Sequence, residues 1–262
     1  MAFRRIAQHS AMTSLPISDL RQTAILLDVD GTIVDFAPTP REVFVSGELR
    51  KTLQRLHEGT SGALALVSGR PAKELDLLFA PLVLPVVGGH GAEIRTTTSG
   101  VVRRAAARPL PAELRRRLAE VAAAGPGIIL EDKDYSLAIH YRLAPDKEDL
   151  IRKAVLAICE EHARGSVEVL PGKFVFEIKS PGFDKGTGVR ELMSHAPFKG
   201  RQPVFIGDDT TDEAAFAVLP EFNGLGASVG RRIQGVADCF ETPHDVRVWL
   251  EHIAQGAPAP AQ

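Results

Sequence analysis

Ile25-Leu26-Leu27-Asp28-Val29-Asp30-Gly31-Thr32 is an apolar run that stops at two carboxylates two residues apart and then at a glycine. A run of this kind reads as a buried strand, and residues i and i+2 of a strand point to the same side. Asp28 and Asp30 are therefore expected to project together at the strand's C-terminal end, where open α/β sheets bind ligands. Two acids so placed repel unless a positive charge lies near them, and a divalent cation with carboxylate oxygens as hard ligands is the natural candidate. The same residues also make an ordinary strand end and turn. The rest of the chain has to decide between the two.

The pattern recurs along the chain. Ala63-Leu64-Ala65-Leu66-Val67 stops at Ser68-Gly69-Arg70-Pro71, and Pro71 suits the first turn of a helix whose Leu75, Leu78 and Phe79 share a face. Ser68 then stands where a strand hands over to a helix, a place that suits either a phosphate or a simple N-cap. A third strand, Leu84 to Val87, ends in Gly88-Gly89-His90-Gly91-Ala92-Glu93, where three glycines beside one histidine imply close backbone approach. Pro203 to Gly207 stops at Asp208-Asp209-Thr210-Thr211-Asp212-Glu213. Thr210 and Glu213 have capping-box spacing, and three aspartates in five residues exceed what capping requires. Lys185 precedes a helix carrying Val189, Leu192 and Met193, and in a parallel sheet these strand ends share one edge.

Between these segments the period changes. A helix from Pro111 to Ala124 is followed by Tyr135 to Arg142, in which Leu137, Ile139 and Tyr141 face one way and Ala138, His140 and Arg142 the other. Such alternation indicates a half-buried, antiparallel strand. A helix from Asp146 to Ala163 and a further alternating run, Lys173 to Lys179, complete a compact α+β insert. Its polar face collects Glu131, Lys133, Arg142, Lys173 and Glu177. A solvated sheet face has this composition, but mixed signs side by side also suit the many hydroxyls of a sugar.

Composition narrows the classes. With 44% hydrophobic and 24% charged residues and a formal net charge of -2, the chain has the make-up of an ordinary globular protein and lacks the basic excess of a nucleic-acid binder. No apolar window approaches the roughly 20 residues that span a bilayer, and Met1 to Ser18 is not followed by a segment of signal-peptide type. Cys159 and Cys239 are expected as buried thiols in a reducing, cytoplasmic setting. Residues 1–20 are expected to be a disordered extension and 256–262 a disordered tail. The glycines around Lys185 lack Walker spacing, and Gly224, Gly226 and Gly230 lack dinucleotide-fingerprint spacing.

Asp28-Val29-Asp30-Gly31-Thr32, Ser68, Lys185 and Gly207-Asp208-Asp209-Thr210-Thr211-Asp212, in that order, resemble the motifs of the haloacid dehalogenase-like phosphatases. Within them the chain resembles the trehalose-6-phosphate phosphatase family, through Ser68-Gly69-Arg70-Pro71, Gly89-His90-Gly91-Ala92-Glu93, Glu131-Asp132-Lys133, His140-Tyr141-Arg142, and Gly172-Lys173 with Glu177. The resemblance runs from about Thr23 to Leu250. It implies an α/β fold, a Rossmann-like parallel-sheet core over 21–107 and 182–255 with an inserted α+β cap domain over 108–181. It also implies hydrolysis of trehalose 6-phosphate to trehalose and phosphate, the last step of trehalose biosynthesis, through an aspartyl-phosphate.

In that scheme Asp28 attacks phosphorus and Asp30 moves protons. Mg2+ sits on Asp28, the backbone carbonyl of Asp30, and Asp208, while Ser68 and Lys185 help to neutralise the phosphate. Asp212 orients Lys185, and Asp209 is a neighbour or alternate ligand of the metal. Thr32, Gly69, Arg70 and His90, with the cap residues Glu131, Lys133, Arg142, Lys173 and Glu177, bind substrate. No partner beyond the sugar phosphate is implied, neither nucleic acid nor membrane, and a monomer is expected. Another sugar phosphatase of the superfamily, acting on sucrose phosphate, mannosyl-3-phosphoglycerate or a hexose phosphate, is the alternative. A sugar phosphomutase and a non-catalytic sugar-phosphate-binding regulator are the more distant ones.

Overall fold

In the computed structural model, which describes residues 15–39, 42–104, 109–133, 135–236 and 238–256, the opening run forms β1 (Thr23–Leu27), buried along its whole length. Its side chains alternate between two cores. Ile25 and Leu27 point into one with Leu64, Leu66, Val204 and Ile206, whereas Ala24 and Leu26 point into the other with Ala65, Val67 and Phe205. The first core is covered by α1 (Gly47–Gly59), α2 (Ala72–Phe79) and α7 (Pro243–Gln255), the second by α5 (Lys185–Met193) and α6 (Glu213–Val218). Helices on both faces explain why the strand sequence is continuously apolar. Ser46 caps α1 by accepting the Leu49 N–H at 3.1 Å.

β1 lies between β10 (Gln202–Gly207) and β2 (Leu64–Val67), with Leu26 opposite Phe205 on one side and Ala65 on the other. Beyond β10 come β11 (Leu225–Val229) and β12 (Asp238–Phe240), and beyond β2 come β3 (Val86–Gly88), β4 (Glu93–Arg95) and β5 (Arg103–Arg104). All neighbours are parallel except β3–β4 and β4–β5, which are antiparallel. The core sheet is therefore mixed at this edge, where the sequence led us to expect parallel strands throughout. The chain returns within a few residues after β3, a distance that permits an antiparallel partner but is too short for a parallel crossover.

A second, antiparallel sheet is built from β6 (Ile129–Asp132), β7 (Ser136–His140), β8 (Glu168–Gly172) and β9 (Val175–Lys179) in the order β6-β7-β9-β8. Its apolar face, with Leu137, Ile139 and Ile178, packs on α3 (Ala112–Ala123) and α4 (Glu148–Ala163). On the opposite face Glu131, Ala138 and Glu177 stand in one row across β6, β7 and β9. This face is not solvated: Ser136, Ala138 and Glu177 are buried. The half-buried strand expected from alternation is thus buried on both sides, because its polar side meets the strand-end loops of the first sheet.

Residues 15–20, expected to belong to a disordered extension, lie against the core. Leu15 is buried in the first core, with Ile17 and Leu20 packed against it, so 15–20 is ordered chain. Residues 1–14, 257–262 and the expected boundary at 107/108 lie outside the described residues. Among the described residues no helix is long and apolar enough to cross a membrane.

Candidate active site

Asp28 and Asp30 lie just past the end of β1, and the structure gives them different partners. Asp28 is buried; its Oδ1 accepts from Lys185 Nζ at 2.8 Å, and its Oδ2 is 3.2 Å from the Thr32 hydroxyl. Asp30 turns instead to Arg70, whose Nε donates to Oδ2 at 2.6 Å and whose terminal nitrogen donates to Oδ1 at 2.8 Å. Such a bidentate pair is geometrically specific. The two acids thus share a pocket but not a common partner. Gly31, directly after Asp30, has φ +84°, and a Cβ there would collide with the Asp208 carboxylate and the Phe36 ring. Only glycine meets both demands.

Lys185 does not come from a strand end, as expected, but is the first residue of α5, which Asp184 caps by accepting the Thr187 N–H at 2.7 Å. Its ammonium also donates to Asp212 Oδ1 at 2.6 Å, and Asp212 Oδ2 accepts the backbone N–H groups of Asp208 and Asp209 at 3.0 and 2.9 Å. Asp212 therefore holds Lys185 and the 208–209 turn together. The capping box over this turn is Asp209 with Asp212, one residue before the expected Thr210 and Glu213. Asp209 Oδ1 bonds the Thr210 N–H at 2.5 Å, so Asp209 serves the turn.

The charge balance at this point is uneven. Asp28, Asp208 and Asp212 bring carboxylate oxygens within 4.8 Å of one another, and one ammonium faces them. With all three carboxylates ionised, the one lysine would leave two negative charges uncompensated, the charge of one divalent cation; without an ion, repulsion favours a proton among them. Burial, with the charges of Asp28 and Asp212, pushes the Asp208 carboxyl up to about 9. Burial alone would lower Lys185, but Asp212 and Asp28 reverse this and hold it above its ordinary range. The trio adds the Asp212 carboxylate to Asp28 and Asp208; the contribution expected of Asp30 is its backbone carbonyl, not its side chain. Asp212 is held by Lys185 and two backbone N–H groups and both Asp30 oxygens are on Arg70, whereas Asp28 Oδ2 and Asp208 Oδ1 share only the Thr32 hydroxyl, so Asp28 and Asp208 are the carboxylates best placed to take an oxygen-seeking ion.

Above this centre the polar face of the second sheet closes the pocket, which Asp28, Ser68, His90, Lys133, Glu177 and Lys185 all line. Glu177 is the joint: its Oε2 is 2.9 Å from His90 Nε2 and accepts from Lys133 Nζ at 3.2 Å, and its Oε1 accepts from Ser136 Oγ at 2.7 Å. Lys133 also donates to the Gly69 carbonyl at 3.1 Å. A Cβ on Gly69 would strike the His90 imidazole. His90 has φ +54°, a strained conformation for a residue with a Cβ. Glu131 pairs with His140 at 2.8 Å. All five expected sugar contacts line this pocket: Lys133 lies within ion-pair distance of both Glu131 and Glu177, and Arg142 and Lys173 lie over the Phe36 ring.

The sequence model of the trehalose-phosphatase family matches residues 26–241, a span that contains every one of these groups. The chain belongs to that family. It is 37% identical over 234 residues to the trehalose-6-phosphate phosphatase of Escherichia coli (strain K12), covering 88% of this chain and 86% of that one. It is 38% identical over 213 residues to the probable trehalose-phosphate phosphatase of Sinorhizobium fredii, covering 81% and 80%. Among solved structures, the C-terminal domain of C. albicans trehalose-6-phosphate phosphatase superposes with a TM-score of 0.77 at 20% identity, covering 90% and 92%. A haloacid dehalogenase-like hydrolase from Bacteroides thetaiotaomicron superposes at 0.61 with 20% identity, covering 88% and 99%. At these identities the structural likeness speaks to the fold, an α/β core of the haloacid dehalogenase-like kind with an inserted cap.

For a member of the trehalose-phosphatase family, the structure gives partners to residues that the sequence reading quoted without placing them in the site. Ser136 and His140 flank Ala138 on the polar face of β7 and reach Glu177 and Glu131; both lie within the alternating stretch. Glu93 is buried, and its Oε2 accepts the Ala72 N–H at 2.7 Å at the start of α2. The same loop holds the 68–70 segment by backbone bonds, Gly89 N–H to the Arg70 carbonyl at 2.9 Å and His90 N–H to the Ser68 carbonyl at 3.0 Å. Glu93→Ala leaves the Ala72 N–H unpaired, at a cost of about 1–3 kcal/mol. Thermal unfolding should show that loss, and kinetics should show a raised KM as Ser68 and Arg70 shift. An unchanged midpoint and KM would refute the assignment.

Proposed function

We propose that this chain hydrolyses trehalose 6-phosphate to trehalose and inorganic phosphate, with Asp28 as nucleophile and Mg2+ as the ion it needs. The observation that carries the reading is the joining of two halves in one pocket: a lysine-held carboxylate below, and a buried cluster of acid, ammonium and imidazole above. The lower half suits a phosphate ester and the upper half a polyhydroxylated leaving group.

Lys185 pins one oxygen of Asp28, which orients the carboxylate and leaves its charge available for attack on phosphorus. As the new oxygen–phosphorus bond forms, the bond to the sugar oxygen breaks and Asp30 supplies that oxygen with a proton. Asp30 then takes a proton from the water that cleaves the aspartyl-phosphate. Both Asp30 oxygens are on Arg70, so this role requires the pair to part; a phosphate arriving beside Arg70 supplies the competing anion. Ser68 and Lys185 donate to the phosphoryl oxygens. Mg2+ held by Asp28, Asp208 and the Asp30 carbonyl would neutralise charge at the phosphoryl group. Asp212 keeps Lys185 in place, and Thr32, Gly69 and Arg70 line the approach of the phosphate.

In this reading 108–181 acts as a cap that excludes water once sugar is bound, and the chain works in the cytoplasm as a monomer. Cys159 and Cys239 are both free thiols, which fits a reducing compartment. Phosphate release should be measured from trehalose 6-phosphate, sucrose 6-phosphate, mannosyl-3-phosphoglycerate and glucose 6-phosphate, with Mg2+ and with a chelator. The expected result is a kcat/KM at least about tenfold higher for trehalose 6-phosphate, lost on chelation and restored by Mg2+. Equal rates across the panel, or an isomeric sugar phosphate accumulating without free phosphate, would overturn the reading.

A further inference from the structure

We propose that Phe36 is the latch by which the core holds the cap shut, a positioning residue for the reaction described above and dependent on that reading for its substrate. Phe36 follows the Asp28–Thr32 loop, and its ring lies against Gly31 at the rim of the reacting centre. It is 38% exposed. Two cations of the second sheet meet it. The Arg142 guanidinium carbon is 4.8 Å and Lys173 Nζ 4.7 Å from the ring centroid.

Neither cation has a carboxylate within 4 Å among the described residues. Arg142 instead donates to the Ala37 carbonyl, next to Phe36, and at 3.5 Å to the Lys173 carbonyl. Arg142 also feels the Asp30 charge; the aromatic ring of Phe36 is the group the two cations have in common. Arg142 follows β7, and Lys173 lies in the β8–β9 turn beside Phe174, which has φ +63°. Two separate parts of the cap therefore end on one ring of the core. Elsewhere across the mouth cap and core meet through hydrogen bonds, among them Glu177 with His90 at 2.9 Å, Lys133 to the Gly69 carbonyl, and the Thr210 hydroxyl to the Pro171 carbonyl at 3.2 Å. At Phe36 two cap cations lie over an aromatic ring of the core.

Phe36→Leu keeps the apolar bulk and removes the π face, whereas Phe36→Trp enlarges it. Because the position is partly exposed, both variants should fold. The quantity to read is kcat/KM for trehalose 6-phosphate divided by that for p-nitrophenyl phosphate, whose small leaving group makes no demand on the cap. Leu should lower this ratio by about fivefold to thirtyfold, and Trp should hold it within about twofold of wild type. Equal ratios for the two variants, or a Leu variant matching wild type, would overturn the latch. Small-angle scattering gives a readout independent of the sugar: the Leu variant should have a larger radius of gyration than wild type, and the Trp variant should not. If wild type fails on trehalose 6-phosphate, the substrate reading falls and the scattering comparison alone decides the latch, with three equal radii counting against it.

Discussion

Asp28→Asn is expected to reduce phosphate release by about ten-thousandfold or more, the scale seen when a covalent nucleophile is removed from a set of groups that act as a unit. The change is nearly isosteric, and the fold has little reason to suffer. Asp28 is one of three carboxylates around Lys185, so making it neutral relieves repulsion with Asp208 and Asp212 while Lys185 keeps its 2.6 Å bond to Asp212. The thermal midpoint without metal should therefore not fall. Added Mg2+ supplies a second measurement. An ion at about a hundred times its Kd stabilises the folded state by about 2.7 kcal/mol, roughly 5–10 °C for a chain of this size. Wild type should show that rise and the Asn variant should lose most of it. Residual turnover would refute the nucleophile, and a full metal-induced rise in the variant would refute Asp28 as a ligand.

Glu177→Gln is expected to have the largest effect on stability. Glu177 is buried and compensates Lys133 while bonding His90 and Ser136. Removing its charge leaves Lys133 in the interior without its nearest counter-charge, and breaking a buried pair in this way costs about 3–5 kcal/mol. The effect has a defined pH dependence. Burial pushes Glu177 up, but the charges of His90 and Lys133 and the hydrogen bonds from His90 and Ser136 outweigh it and hold the carboxyl well below the usual range. A carboxylate depressed on folding adds stability that is complete above its unfolded value of about 4.3 and is lost as pH falls through the folded value. Wild type should therefore lose stability on acidification below about pH 4 more steeply than the Gln variant, so that the two converge in acid. Parallel denaturation curves at neutral pH and near pH 3 check this, and a constant gap between them would contradict it.

These two residues also show what a sequence can and cannot disclose. Asp28 was legible because β1 is apolar on both faces and stops abruptly, so the first polar groups after it had to lie at the sheet's edge. Asp212 was legible by counting, since three aspartates exceed the needs of one helix start. The pairing of Asp30 with Arg70 was not, because their side chains meet across two separate strand-end loops and nothing local fixes which acid the guanidinium takes. Alternation along β7 and β9 separated two faces correctly but could not say what covers each, so by itself it left the face with Glu131 and Glu177 open between a solvated surface and a sugar-binding one, where the structure makes it the roof of the pocket. The bond from the Ala72 N–H to Glu93 was hidden for a similar reason: one acid in a three-residue strand carries no periodic signal of its partner.

The position of Lys185 at the start of α5 has a consequence for how this enzyme can change. The last strand of the cap ends at Lys179, whose buried ammonium bonds the Phe183 carbonyl at 2.5 Å and lies 4.4 Å from the Phe183 ring centroid. The chain then runs directly into the residue that holds Asp28. Loops elsewhere in the cap, such as the one between α4 and β8, can gain or lose residues at a cost that grows only slowly with length. The 180–184 link has no such freedom, because an added residue there would move an ammonium out of register with two carboxylates. Sugar preference in this lineage can thus drift by remodelling the cap's outer loops, while the exit from the cap stays fixed in length by the chemistry at its far end.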